Sequence, residues 1–127
     1  MGIAAYRRTI TKTESPRQIE RRLLMGVTAE LEKYRHFDEL EKPGDKLKLL
    51  AQGLREAVWK NERIWMTFKN DLVYEANALP PNLRASLISL GFWVENHSQG
   101  VLAGTHRLEP LISVNRSIID GLAGSQR

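Results

Sequence analysis

Apolar residues recur every three to four positions in four stretches of the chain, a spacing that predicts amphipathic α-helices. Ser15 and Pro16 mark the first helix start, as an N-cap hydroxyl followed by proline in the first turn, and Gln18 completes a capping box. No strand-like alternation interrupts this pattern. The positions predicted to face the core are Ile19, Leu23, Val27, Leu31 and Tyr34 in the first helix, Leu47, Leu50, Leu54, Val58, Ile64, Trp65, Phe68 and Leu72 in the second, Leu83, Leu87, Leu90, Val94 and Val101 in the third, and Leu108, Leu111, Ile112, Ile118, Ile119 and Leu122 in the fourth.

Prolines and glycines divide these helices. Residues 42–45 hold a Pro-Gly breaker, after which a single long helix is predicted from about residue 46 to about residue 75. The third helix is predicted to start near Pro81 and to stop at Gly104, with Thr105 capping the fourth. We therefore expect an all-α fold, a single-domain bundle of about four helices over residues 15–127, preceded by a flexible N-terminal arm over residues 1–14.

Some apolar side chains exceed what one core stripe needs. Ile88, Phe92 and Trp93 fall off the stripe of the third helix, and Trp59 lies beside that of the second. Either these helices are buried on several sides, or the extra side chains line a groove that accepts an amphipathic helix from a partner. The four residues are our candidates for partner contact.

Asn115 falls among the apolar positions of the last helix, where an unpaired amide costs about 1–3 kcal/mol. It could fix the register between helices of the bundle, or it could hydrogen-bond to a bound helix. Arg116 follows it directly. We take both residues as candidates for the polar orientation of a bound helix or of the bundle itself.

The net charge of +4 is concentrated near the N-terminus. A basic cluster of this kind could contact an acidic partner, RNA or a membrane surface, or it could be a solvated face of the first helix. The arginines of this cluster are Arg7, Arg8, Arg17, Arg21 and Arg22. The chain has no cysteine, no signal-peptide pattern and no apolar run long enough to span a bilayer, so we expect a cytoplasmic protein.

Residues of the types that enzymes use for catalysis are scattered along the chain. His36, His97 and His106 show no metal-ligand spacing, and His97 is better explained as a packed or half-buried side chain. There is no glycine-rich phosphate loop and no nucleophile elbow around Ser86 or Ser89. We expect no enzymatic activity, no cofactor and no metal site.

Three segments carry a family resemblance. They are Trp65-x-x-Phe68-x-x-Asp71-Leu72, then Leu79-Pro80 followed by Leu83-Arg84-Ala85-x-Leu87-Ile88-Ser89-Leu90-Gly91-x-Trp93-Val94, and Leu111-Ile112-x-Val114-Asn115-Arg116-x-Ile118-Ile119-Asp120-Gly121-Leu122. In order and spacing they resemble FlaF, a family of small flagellar biosynthesis regulators of alphaproteobacteria. The resemblance covers roughly residues 15–123.

The resemblance implies a non-catalytic protein that acts in flagellin production and secretion, alongside FlbT, a regulator of flagellin messenger RNA. Flagellin's terminal helices expose apolar stripes before they assemble, so a helical bundle could cover them. The first hypothesis is a cytoplasmic flagellin-binding chaperone. The alternative is a post-transcriptional regulator that acts on flagellin messenger RNA directly or through a partner such as FlbT.

Overall fold

The computed structural model describes the backbone of residues 16–74 and 80–124, and the side chains of residues 18–73 and 80–122. The described ranges are helices joined by short turns, which confirms the predicted all-α bundle. The helices are α1 (Pro16–Glu32), a 3₁₀ helix (Arg35–Glu39), α2 (Pro43–Leu49), a π-helical turn (Leu50–Leu54), α3 (Arg55–Tyr74), α4 (Pro81–Leu102) and α5 (Glu109–Gly124). The predicted arm and the Ser15 cap lie outside the described residues.

The predicted second helix is interrupted, so the expectation of one continuous helix was wrong. The helix starts at Pro43 and bends at Gly53, whose φ of 143° and ψ of −17° no helical residue adopts. A Cβ at this position would lie 2.1 Å from the Tyr34 hydroxyl. Glycine is therefore required at the bend for its backbone angles and for space.

The helices α1, α3 and α5 surround the core, and α4 flanks them. α1 packs against α5 and α3, whereas α4 packs mainly against α3 and touches α5 little. The buried residues of α4 lie between Gly91 and Val101, and none of its described residues before Gly91 is buried. The first half of α4 therefore lies beside α3 with its outer side open to solvent.

Three predicted core positions are exposed instead. In α1, Leu23 is 48% exposed, whereas its neighbour Leu24 is only 4% exposed. The reason is that Leu24, Val27 and Leu31 form the face of α1 toward α5 and α3. Leu47 is exposed, and the neighbouring Leu49 and Leu50 are the residues of this segment that enter the core. Leu83 is exposed because it lies in the open first half of α4.

The connection between α4 and α5 uses different caps from those predicted. Gly104 ends α4 with a positive φ of 77°, as expected, but the Thr105 hydroxyl donates backward to the Gly100 carbonyl at 3.1 Å and does not cap α5. The cap of α5 comes from Asp38 in the 3₁₀ helix. Its carboxylate oxygens accept hydrogen bonds from the backbone N–H groups of Leu108 at 2.5 Å and Glu109 at 2.8 Å.

Candidate partner-binding surfaces

An apolar groove runs between α1 and α3. Trp59 stands at its edge, 52% exposed, with the Arg63 guanidinium 4.9 Å from the ring centroid. Leu23, which was predicted to face the core, also lines this groove. The α1–α3 groove has a volume of about 460 Å³ and is lined by Leu23, Gly26, Val27, Glu30, Trp59, Lys60, Arg63 and Ile64.

A deeper cavity continues the α1–α3 groove toward the start of α1. The two share Leu23, Arg63 and Ile64, and the cavity also reaches α5. Its volume is about 180 Å³. The residues that line this α1–α3–α5 cavity are Glu20, Leu23, Leu24, Arg63, Ile64, Trp65, Thr67, Phe68, Asp71, Ile118 and Leu122.

The outer side of α4 forms a second, shallower apolar surface. Trp93 stacks on His97, with ring centroids 4.7 Å apart, while Ile88 is half-buried. Phe92 is 54% exposed, and the Lys69 ammonium lies 4.0 Å from its ring centroid. The concave part of this α4 outer face is lined by Ala85, Ser86, Ser89, Leu90 and Trp93.

The four apolar candidates for partner contact do not lie on one surface. Trp59 belongs to the α1–α3 groove, whereas Phe92 contacts Lys69 on the α3–α4 side and Trp93 lines the α4 outer face. No residue lines both surfaces. A single bound helix would therefore use one surface or the other.

Charged groups line the contact between α3 and α4. Lys69 forms an ion pair with Glu95 at 2.7 Å, and its aliphatic chain packs beside Gly91, where a Cβ would lie 3.2 Å away. Burial raises the pKa of the Glu62 carboxyl, and the nearby negative charge of Glu95 raises it further. Glu62 thus destabilises this contact when it is ionised.

Asn115 lies in the centre of the bundle and is fully buried. Its Oδ1 accepts a hydrogen bond from Trp65 Nε1 at 2.8 Å, and its Nδ2 donates to Thr28 Oγ1 at 3.0 Å and to Asn61 Oδ1 at 2.7 Å. These bonds join α1, α3 and α5. Of the two roles predicted for Asn115, these contacts support orientation of the bundle, because the amide exposes no surface to a bound helix.

Arg116 points outward, on the side of α5 that faces the end of α1. Its guanidinium donates to the Glu32 carboxylate, which also accepts from Arg35 at 3.2 Å. The hydrogen bond from Arg116 lowers the pKa of Glu32, and the charges of Arg116 and Arg35 lower it further. Arg116 therefore joins two helices and lines neither apolar surface.

The basic candidates are only partly described. Arg7 and Arg8 lie outside the described residues, and of Arg17 only the backbone is described. Arg21 Nε donates to the Ile119 carbonyl at 3.2 Å, so this guanidinium connects α1 with α5. Arg22 is exposed on α1.

His97 and His106 have packing contacts, whereas His36 is exposed. His97 is half-buried, as predicted, with Nε2 2.7 Å from the Arg107 carbonyl oxygen, and its ring meets that of His106 edge to face. Among residues 18–73 and 80–122, no group of three His, Cys, Asp or Glu side chains could hold a metal ion. Within the described part of the chain, no helix is both long and apolar enough to cross a membrane.

Three polar residues of structural importance were missed by sequence reasoning. Thr28 and Asn61 hold Asn115, and Asp38 caps α5. A signal existed for Asn61, which lies between Val58 and Trp65 at helical spacing on the buried stripe of α3. The sequence around Asp38 carries no such signal, because the helix that it caps begins 71 positions later.

These features define a class: a small all-α bundle with a polar network at its centre and apolar surfaces open to solvent. The model of a family described as flagellar protein FlaF matches residues 3–122, nearly the whole chain. The chain belongs to the FlaF family of flagellar proteins, which confirms the resemblance in the sequence. No curated protein and no solved structure matches the chain.

Proposed function

We propose that the chain is a non-catalytic, cytoplasmic chaperone that binds the terminal helices of flagellin and in this way supports flagellin synthesis and secretion. The observation that carries the proposal is the α1–α3 groove. It exposes Leu23 and Trp59 along one side of a helical bundle, and exposed apolar surface of this kind marks interaction sites.

The shape of the groove favours a helical ligand. An amphipathic helix presents apolar side chains at positions i, i+3, i+4 and i+7, which can follow a groove between two helices. Trp59 is suited to be the main contact, since tryptophans that become buried at an interface often contribute most of the binding energy. Glu30, Lys60 and Arg63 supply charges of both signs at the edge, which can orient a partner.

The first experiment compares flagellin with flagellin that lacks its terminal helices. We expect the purified full chain to bind only the intact protein. Equal binding to both forms, or binding to neither, contradicts the proposal.

The second experiment locates the surface. Trp59→Ser should weaken flagellin binding by about 2 kcal/mol, roughly thirtyfold in Kd. Met66→Ser is the matched control, because Met66 is also exposed on α3 but does not line the groove. Loss of binding in Phe92→Ser with none in Trp59→Ser would move the site to α4.

The salt dependence of binding distinguishes the RNA-regulator alternative from binding in the apolar groove. Binding to messenger RNA depends on phosphate contacts and weakens steeply as ionic strength rises, whereas apolar groove binding persists. Neutralising the basic residues of positions 1–14 together with the nearby Arg17, Arg21 and Arg22 should abolish RNA binding, whereas groove binding should persist. The same titration with FlbT present distinguishes direct from indirect RNA binding.

A further inference from the structure

The α1–α3–α5 cavity is mostly apolar and continues the α1–α3 groove inward. Leu24, Trp65 and Phe68 are among its walls, and the Phe68 ring meets the Trp65 ring edge to face, with centroids 5.8 Å apart. Close-packed protein interiors leave few voids larger than a water molecule. At about 180 Å³, the cavity is therefore a gap that the core of the bundle does not fill.

The size of the cavity suits one large apolar side chain. An apolar cavity of about 150 Å³ can hold one benzene molecule, so this cavity is large enough for the ring of a phenylalanine or the branched end of a leucine. A side chain that entered would remove its own apolar surface and that of the walls from water. The cavity can thus add to the affinity of a ligand that already lies in the groove.

The position of the cavity along α3 sets the spacing that such a ligand needs. Thr67, at the cavity edge, lies eight positions after Trp59, which is about 12 Å at 1.5 Å per residue. In a helix laid along α3, residues i and i+7 are about 10.5 Å apart and point in nearly the same direction. A helix with one apolar side chain on Trp59 can therefore place another, seven residues away, in the cavity.

A carboxylate lies at the far end of the cavity. Asp71 lines it one helical turn beyond Thr67 and is exposed, whereas the Arg63 guanidinium lies 4.9 Å from the Trp59 ring centroid, on the groove side. A basic side chain on the ligand, three or four residues beyond the one in the cavity, would meet the Asp71 carboxylate.

We propose that the helix bound in the α1–α3 groove carries an anchor, a leucine or phenylalanine side chain that enters the α1–α3–α5 cavity. The anchor lies seven residues from the side chain that covers Trp59, and a lysine or arginine follows three or four residues further on, toward Asp71. This inference rests on the proposed function and adds the sequence pattern that the groove selects. The spacing is the same for either direction of the bound helix.

The first test fills the cavity from inside. Ile118 is half-buried on α5 and lines the cavity, so Ile118→Phe should occupy part of its volume. We expect flagellin to bind this variant about tenfold more weakly than wild type. Ile118→Val leaves the cavity open and is the matched control, with binding expected to equal that of wild type. Urea unfolding checks that both variants are folded.

The second test removes the carboxylate. Asp71→Asn should weaken flagellin binding about threefold at low ionic strength, and the difference should disappear as salt is added. Glu41→Gln is the control, because Glu41 is exposed and lines neither the cavity nor the groove.

A third measurement needs no substitution. Benzene added to the full chain should shift the methyl resonances of Leu24 and Ile118, which line the cavity, and leave those of Leu47 on α2 unchanged. Flagellin should reverse these shifts, because its anchor and benzene compete for the same cavity.

The outcomes separate this inference from the proposed function. Equal binding of flagellin to Ile118→Phe and Ile118→Val, or benzene that stays in the cavity of the flagellin complex, overturns the anchor and leaves flagellin binding intact. Absence of any benzene-induced shift also overturns it, since the cavity is then closed in solution. Equal binding to Asp71→Asn and Glu41→Gln overturns the basic position of the pattern. If wild type binds no flagellin, the proposed function fails and the anchor fails with it.

Discussion

Trp65 Nε1 donates a hydrogen bond of 2.8 Å to Asn115 Oδ1, and both side chains are buried where α1, α3 and α5 meet. The indole N–H and the amide carbonyl thus satisfy each other away from water. The amide N–H₂ of Asn115 extends the contact to Thr28 and Asn61. One side chain therefore sets the relative position of three helices.

Asn115→Leu should lower the free energy of unfolding by about 1–3 kcal/mol, because the Trp65 N–H is left buried without its acceptor. Urea unfolding measures the change. The control is Ser113→Ala on the exposed side of α5, expected within about 0.5 kcal/mol of wild type. An Asn115→Leu protein as stable as the control would show that the network contributes no net stability.

Asp38→Ala should destabilise the protein by about 1–2 kcal/mol, since the backbone N–H groups of Leu108 and Glu109 lose their acceptors. Hydrogen exchange should accelerate first at the start of α5. Glu39→Ala, at the exposed neighbouring position, serves as the control. Faster exchange confined to the 3₁₀ helix would contradict the capping role.

Gly53→Ala should cost about 1–3 kcal/mol, because φ is positive and the new methyl group meets the Tyr34 hydroxyl. Adding Tyr34→Phe should relieve the steric part of this cost but not the backbone part. Gly26→Ala, in a helical position with open space around it, should instead stabilise α1 by about 0.5–1 kcal/mol. Thermal unfolding of these variants separates the effects, and a neutral Gly53→Ala would show that the bend is not constrained.

The stability of the protein should depend on pH through two carboxyls with opposite effects. The pKa of Glu62 is raised in the folded state above its ordinary value of 4.5. Its ionisation therefore destabilises the fold at neutral pH, and the penalty disappears as pH falls below 4.5. Glu62→Gln should stabilise the protein at pH 7 and lose that advantage near pH 4.

The ionisation of Glu32 has the opposite effect on the stability of the fold. Its pKa is lowered from 4.5 by Arg116 and Arg35, so its stabilising contribution is present above 4.5 and is lost as pH falls through the lowered pKa. Glu32→Gln should destabilise the protein at pH 7, with the difference shrinking in acid. Chemical unfolding at a series of pH values checks both variants, and a gain in stability for Glu32→Gln at pH 7 would contradict the assignment.

The sequence by itself determined the α-helices apart from the bend at Gly53, because helical periodicity, prolines and glycines act over a few neighbouring residues. It placed the start of α4 at Pro81 and its end near Gly104, and it identified the apolar excess at Trp59 and Phe92. It also identified the family, through segments whose order and spacing can be read directly from the chain.

Only the tertiary structure decided which of two adjacent apolar residues faces inward. Leu23 and Leu24 differ by about 100° around α1, so each can meet a core, and the positions of α3 and α5 selected Leu24. Long-range pairs such as Asp38 with Leu108, and Asn115 with Thr28, are equally hidden from local pattern. Their partners come together through packing of distant helices, and that packing separates the α1–α3 groove from the α4 outer face.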